Sequence, residues 1–317
     1  PVDLWPDIES HLTARTDSIS QRGTMRLLPV IGLAVAAVLA VSFVLLVVLN
    51  PSPRSWDVLR VAGQPSIDQV VLSGQAQIES GQTIITDSVS RAAIAVGSIG
   101  TVDVLPETII QVVSMNRSNH RFRMTSGTIQ ASITAPPRLF FVETPSALAI
   151  DLGCEYTLRV DSLGRSHLDV ALGYVELEHP GRSSVIPEGY KAVAVPDLGP
   201  TVAIDTDAPA VYIEKIISYT LFDNAAALDS LVSLSTPRDA VTLWLILQNH
   251  QPNASESRRL YDRLVQLAGA PEDVSFSGTV IARNGSEISA WQDHLNLDLT
   301  LMSFQAASKK KRFLRTR

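Results

Sequence analysis

The longest apolar stretch of the chain runs from Leu27 to Leu49 and contains no charged residue. A helix rises about 1.5 Å per residue, so roughly 20 apolar residues span the hydrocarbon core of a bilayer. The stretch therefore predicts a single transmembrane helix. The predicted membrane-anchor residues are Leu27, Pro29, Gly32, Ala36, Ala40, Phe43 and Leu49.

A secretory signal peptide is the alternative interpretation of this stretch. The apolar region of a signal peptide usually has about 7–15 residues and precedes a small-residue cleavage site. This stretch is longer, and residues 50–54 (NPSPR) contain no such site, so we expect an anchor. Arginines before the stretch, at positions 15, 22 and 26, slightly outnumber those at 54 and 60 after it. This favours an N-terminus on the cytoplasmic side.

Residues on either side of the stretch differ in character. Residues 1–26 form a short polar head, and residues 50–66 are rich in Pro and predict a linker. Trp56 lies in this linker, and it packs either at a membrane interface or on the body of the protein.

Apolar and polar residues alternate with a period of two from about residue 67 to 205, which predicts strands with one buried face. Ile129, Ala131 and Ile133 follow this pattern, as do residues 154–160 and 168–172. Turn pairs such as Ser126-Gly127 separate the strands, and residues 154–172 predict a hairpin closed near Leu163-Gly164. Repeated short strands of this kind predict a β sandwich or roll.

The period becomes helical from about residue 206 to 308. Ile213, Ile216 and Leu221 share one helix face, and residues 236–239 (TPRD) offer a cap with Pro at the first helical position. Ser255 is the expected cap of a further helix, and a last helix is expected near Ser286. The predicted fold class is thus a single-pass transmembrane helix, a mainly-β domain over residues 67–205 and a small α-helical C-terminal subdomain.

The charge is unevenly distributed. The chain of 317 residues has a net charge of −6, and its last nine residues contain six basic side chains and no acid. Without that tail the net charge is −12, which argues against a nucleic-acid groove. The tail contacts anionic lipid or an acidic partner, or it is a solvated end. Its basic residues are Lys309, Lys310, Lys311, Arg312, Arg315 and Arg317.

Candidate chemistry in the sequence is sparse. A single cysteine, Cys154, excludes a disulfide within the chain and a zinc site built on several cysteines. No nucleotide, zinc-protease or hydrolase motif occurs, so we expect no catalytic residue, no metal and no cofactor. Cys154 alternates with apolar residues and is expected in the core. Asp151 is either an acid/base group or, as we expect, a turn cap.

The order of motifs between residues 81 and 195 resembles the FecR domain family. The resemblance begins at residues 81–86 (GQTIIT) and 90–94 (SRAAI), and its best part is residues 140–147 (FFVETPSA) with 150–158 (IDLGCEYTL). Residues 187–189 (PEG) also fit. The residues that match the core of the family motif are Phe141, Thr144, Pro145, Ala147, Leu152, Gly153, Cys154 and Tyr156.

This resemblance implies a FecR-like β fold and a non-catalytic, regulatory role in signal transduction. It also implies a location in the bacterial inner membrane, with the N-terminus inside and the body outside. Expected partners are membrane lipid and other membrane or extracytoplasmic proteins, with a cytoplasmic regulatory factor only if the true N-terminus is longer. The head is too short to fold a factor-binding domain. The alternative is therefore an accessory subunit that packs its helix in a membrane complex and clamps the outer face of that complex.

Overall fold

The computed structural model describes residues 55–250, 252–272, 274 and 285–297. Strands occupy the first part of this range and helices the second. The strands are β1 Ser55–Ala62, β2 Ser66–Ile67, β3 Val70–Val71, β4 Gln75–Glu79, β5 Thr83–Ile85, β6 Arg91–Ala95, β7 Gly100–Val104, β8 Ile109–Asn116, β9 Asn119–Ile133, β10 Phe140–Glu143, β11 Leu148–Asp151, β12 Cys154–Val160, β13 Ser166–Leu172, β14 Tyr174–His179, β15 Arg182–Pro187, β16 Tyr190–Val195, β17 Gly199–Pro200 and β18 Ile204–Asp205. The helices are α1 Ala210–Leu221, α2 Ala227–Leu234, α3 Ala240–Asn249, α4 Ala254–Ala268 and α5 Gly285–His294.

The strands form two sheets. The first has the order β4-β1-β6-β7-β9-β12-β13-β16, and β17 and β18 both pair with β16. The second has the order β3-β2-β5-β8-β9-β10-β11-β14-β15. The pairing of β9 with β10 is parallel, whereas the other pairs are antiparallel.

Strand β9 belongs to both sheets, because its two halves pair with different neighbours. Residues 119–126 pair with β8, and residues 127–133 pair with β12. Gly127 lies at the crossing with φ +97°, a left-handed conformation that side chains disfavour. A Cβ atom on Gly127 would lie 2.3 Å from the Cα atom of Thr108. The predicted turn at Ser126-Gly127 is therefore wrong: glycine here bends one continuous strand instead of ending it.

The core lies between the inner faces of the two sheets. Trp56 of β1 packs on Phe122 of β9 at 5.2 Å between ring centroids, and Phe122 packs on Phe140 of β10 at 5.6 Å. All three side chains are at most 2% exposed. The prediction of a linker over residues 50–66 is wrong from Ser55 onwards, because β1 is a full strand and Trp56 is anchored in the core.

Helices α1 to α5 form a layer with its own apolar contacts. Trp291 of α5 packs edge-on against Tyr261 of α4, and Leu260 and Leu264 of α4 are fully buried. Thr236 and Asp239 form a reciprocal capping box on the 3-10 turn Pro237–Asp239, which leads directly into α3, with Pro at the first helical position as the motif predicts. Asn253, not Ser255, caps α4, because its side chain accepts from the backbone N–H of Glu256.

The predicted fold class is wrong in including a transmembrane helix. Within the described residues, no helix is long and apolar enough to cross a membrane. The longest, α4, has 15 residues, which is about 22 Å of helix against a hydrocarbon core of about 30 Å. The described architecture is mainly β with a small helical layer. Residues 27–49, on which the anchor prediction depended, lie outside the described residues.

We expect substitution of Gly127 by Ala to lower the free energy of unfolding by about 3 kcal/mol or more, because an unfavourable φ and a backbone clash add. Gly81 provides a matched control, since its φ is +95° and no atom lies within 4 Å of the position that a Cβ would take there. Gly81→Ala should cost about 1 kcal/mol. Urea unfolding of the full chain, followed by tryptophan fluorescence, measures both. Equal losses would contradict the steric account of the crossing.

Candidate functional site

The residues that carry the FecR resemblance lie in or beside two turns, one at each end of β11. The first turn joins β10 to β11: the Thr144 hydroxyl accepts from the Ala147 N–H at 3.0 Å and donates to the Ala147 carbonyl at 2.7 Å. Pro145 is exposed, and it packs close to Gly164 in the turn between β12 and β13. Phe141, just before the first turn, is half-buried with the Arg121 guanidinium 4.7 Å above its ring.

A set of buried hydroxyl groups fixes the first turn against β13. The Ser166 hydroxyl lies 2.6 Å from that of Ser146 and 2.8 Å from that of Thr144. Ser146 and Ser166 are fully buried. Buried hydroxyls are stable only when hydrogen-bonded, so this triad holds the turn in one position.

The second turn joins β11 to β12 and contains Asp151, Leu152, Gly153 and Cys154. One Asp151 carboxylate oxygen accepts from the Gly153 N–H at 2.7 Å, and the other accepts from the Cys154 thiol. Asp151 and Cys154 are 1% and 2% exposed. Asp151 is thus a buried turn cap, and the thiol is a core group.

Burial raises the pKa of the titratable groups in and beside this turn. Burial raises the pKa of Asp151 to about 6, although hydrogen bonds from Cys154 and Gly153 oppose the shift. Burial and the neighbouring carboxylate raise the pKa of the Cys154 thiol. The pKa of Tyr156 is also raised, mainly by burial. A protonated, inaccessible thiol is a poor nucleophile. The motif residues therefore have a structural role.

Solvent-facing aliphatic side chains form a second candidate site, on the outer face of the second sheet. Val71 lies opposite Ser66, Ser66 opposite Ile85, and Ile85 opposite Ile109 in adjacent strands. Val71, Ile85 and Ile109 are 53%, 38% and 39% exposed. We call these three residues the outer row. It crosses β3, β2, β5 and β8, a distance of about 15 Å at the usual strand spacing.

The sequence signal for the outer row is two apolar residues in succession within a strand. A search for alternating apolar and polar residues alone misses this signal. These pairs are Ile84-Ile85 and Ile109-Ile110. Because successive side chains of a strand point to opposite faces, one member of each pair must face away from the core. Ile84 and Ile110 are the buried members, at 1% and 0% exposure.

The remaining predicted site residues lie outside the described part of the chain. These are the anchor residues between 27 and 49 and the basic residues between 309 and 317. Among the residues that the structure describes, no group of three or more His, Cys, Asp or Glu side chains could hold a metal ion.

Comparisons with known proteins reveal only distant similarity. No protein-family model and no curated protein match the chain. It is similar to two crystal structures described as a "putative anti-sigma factor" from Parabacteroides distasonis, both at 13% identity and a TM-score of 0.35. The match covers 47% of this chain and 73% of the other chain in one structure, and 66% and 90% in the second. This TM-score is too low to establish a common fold, so we base no functional argument on it.

We expect the buried Asp151 carboxyl to make stability fall as pH rises. Its pKa is about 6 in the folded protein, against 3.8 in the unfolded chain, so the folded state binds this proton more tightly. The stabilisation is complete below pH 3.8 and is lost as pH rises through 6. The loss is about 3 kcal/mol at about 1.4 kcal/mol per unit.

Substitution of Asp151 by Asn removes this titration, because the amide keeps a similar shape without an ionisable proton. Unfolding free energies of the wild type and of Asp151→Asn, measured across the window between the two pKa values and on either side of it, provide the comparison. The wild type should lose stability relative to the variant as pH rises through this window. Parallel pH profiles would contradict the assignment.

Proposed function

We propose that this chain is a non-catalytic regulatory module of FecR type, whose β body binds a protein partner through the outer row. The observation that carries the proposal is the exposure of three aliphatic side chains in one line on the outer face of the second sheet. The order of the family motifs between residues 81 and 195 supports the regulatory part of the proposal. The location of the body outside the cytoplasm stays a prediction.

The surroundings of the outer row are suited to a protein interface. Asp87 lies two residues beyond Ile85, and Glu107 lies two residues before Ile109, so both acids flank the same side of the row. The Glu107 N–H donates to the Asp87 carbonyl at 3.0 Å, which places the two segments together. Thr83 and Gln111, which pair with each other, flank the other side. Interfaces commonly combine an apolar centre with such a polar rim.

The flanking charges also indicate the chemistry of the partner. Hydrogen bonds from the Val89 and Ser90 N–H groups lower the pKa of Asp87, so it is ionised at neutral pH. Glu107 is exposed. A complementary partner would present an apolar strip with basic residues along one side, because complementary charge directs orientation and accelerates association.

A photocrosslinking amino acid at position 85 of the full chain, introduced in the native host, identifies the partner directly. Ile85→Asp should weaken binding of the purified partner at least tenfold, because it places a charge in the apolar centre of the interface. Val211→Asp is the matched control: Val211 is 48% exposed on α1 and is not part of the outer row, so its substitution should leave the affinity unchanged.

Transcript profiling separates regulation from a structural role. We expect Ile85→Asp to change the same small set of transcripts as deletion of the gene, with Val211→Asp resembling the wild type. Recovery of the chain in fixed stoichiometry with the subunits of a membrane complex, without a transcriptional effect, would support the accessory-subunit alternative instead. A crosslinked partner whose affinity is the same for both variants would refute the role of the outer row.

A further inference from the structure

A small cleft lies where the β14–β15 hairpin meets the helical layer, far along the chain from the outer row. Its volume is about 200 Å³. The residues that matter for its chemistry are Arg182, Ser184, Thr220, Asp223, Asn249 and His250. The hairpin supplies the first two, the end of α1 the next two, and the end of α3 the last two.

Arg182 supplies the positive charge of the cleft. One guanidinium nitrogen donates to the Thr220 carbonyl at 2.8 Å, which fixes the side chain against the end of α1. A guanidinium group has five N–H donors, and a carboxylate matches two of them in a planar pair of hydrogen bonds. Arg182 is therefore held in place with donor capacity to spare.

Two further lining residues carry polar groups that lack a partner in the described part of the chain. The Ser184 hydroxyl belongs to a side chain that is 2% exposed, and it has no hydrogen bond. The side-chain nitrogen of Asn249 is also buried without an acceptor. A buried donor without an acceptor is unfavourable, so both groups favour a ligand that brings acceptor oxygens.

The other side of the cleft is negative. Asp223 is 84% exposed, and its carboxylate lies 3.7 Å from the His250 ring nitrogen. Burial lowers the pKa of His250, which leaves the ring neutral at pH 7. The carboxyl-terminal ends of α1 and α3, where carbonyl groups carry partial negative charge, also meet here. These features favour a cationic group.

We infer that this cleft binds a small α-amino acid, with the carboxylate on Arg182 and the ammonium group facing Asp223 and the helix ends. The opposite charges of the lining match the two charges of such a ligand. The cleft is smaller than the roughly 300–1,000 Å³ of pockets for drug-sized ligands, which restricts the ligand to a free amino acid or one of similar size. The inference is independent of the partner surface on the second sheet.

Isothermal titration calorimetry of the full chain with each of the twenty common amino acids tests the inference. For every amino acid that binds, the matching carboxylic acid without the amino group and the matching amine without the carboxylate serve as probes; for alanine these are propionate and ethylamine. We expect at least one amino acid to bind and both of its matched probes to bind at least tenfold more weakly.

Variants assign the binding to the cleft. Arg182→Gln should weaken binding of the amino acid at least tenfold, and Arg182→Lys, which keeps the charge but loses the planar fork, should weaken it less. Asp223→Asn should weaken binding of the amino acid but not of the carboxylic acid. Because Asp223 is exposed, this substitution should not disturb folding. Arg159→Gln, on an exposed part of β12, is the control and should change nothing.

Three results would overturn the inference. The first is that none of the twenty amino acids binds. The second is that the carboxylic acid binds as tightly as its amino acid, which would make the site a simple anion site. The third is that Asp223→Asn and a folded Arg182 variant both bind like the wild type, which would place the ligand elsewhere. Circular dichroism establishes that each variant is folded.

Discussion

The fold depends on the crossing of β9 from one sheet to the other at Gly127. A strand that changes sheets leaves backbone groups without their regular partners. The Thr108 hydroxyl replaces the missing partners: it accepts from the Thr128 N–H at 2.8 Å and donates to the Thr128 carbonyl at 3.0 Å. The Thr86 hydroxyl does the same for the Thr108 N–H at 2.9 Å. Two threonines and one glycine thus allow a single strand to hold both sheets in register.

At the other end of the second sheet, an arginine compensates a buried carboxylate in a similar way. Arg138 binds Glu176 and Glu178 of β14, and its backbone N–H donates to the Asp151 carbonyl at 2.9 Å. Glu176 is only 1% exposed, and burial raises its pKa. Arg138 has φ +67°, an unfavourable conformation that these contacts maintain. The arginine therefore orders the loop before β10 while it offsets the cost of a buried carboxylate.

Sequence patterns predict the elements whose residues follow a single period and miss those that do not. The alternation from Cys154 to Leu172 predicts a hairpin, and β12 and β13 pair there through residues 155–172. Strand β1 resembles a linker because prolines precede it, and the burial of Trp56 depends on Phe122, which is distant in the chain. The crossing at Gly127 could not be predicted, since the pair Ser-Gly ends a strand far more often than it bends one.

The candidate sites are harder to predict from the sequence than the fold. The motif residues can be identified, but their spacing alone does not show that Asp151 and Cys154 are both buried and hydrogen-bonded to each other. The outer row requires the strand register, because Val71, Ile85 and Ile109 are neighbours only across hydrogen-bonded strands. The cleft combines residues 182, 223 and 249, which come from three elements, so no local pattern connects them.

The position of β1 has a mechanical consequence. This strand begins at Ser55 and lies between β4 and β6, with an antiparallel partner on each side. Tension applied to the chain ahead of Ser55 would act along the strand axis and load the hydrogen bonds to both neighbours simultaneously, in shear, rather than peeling them off one at a time. Extraction of β1 would also have to pull Trp56 out from beneath Phe122. The arrangement of β1 therefore resists pulling from the N-terminal side of the β body more than an edge strand would.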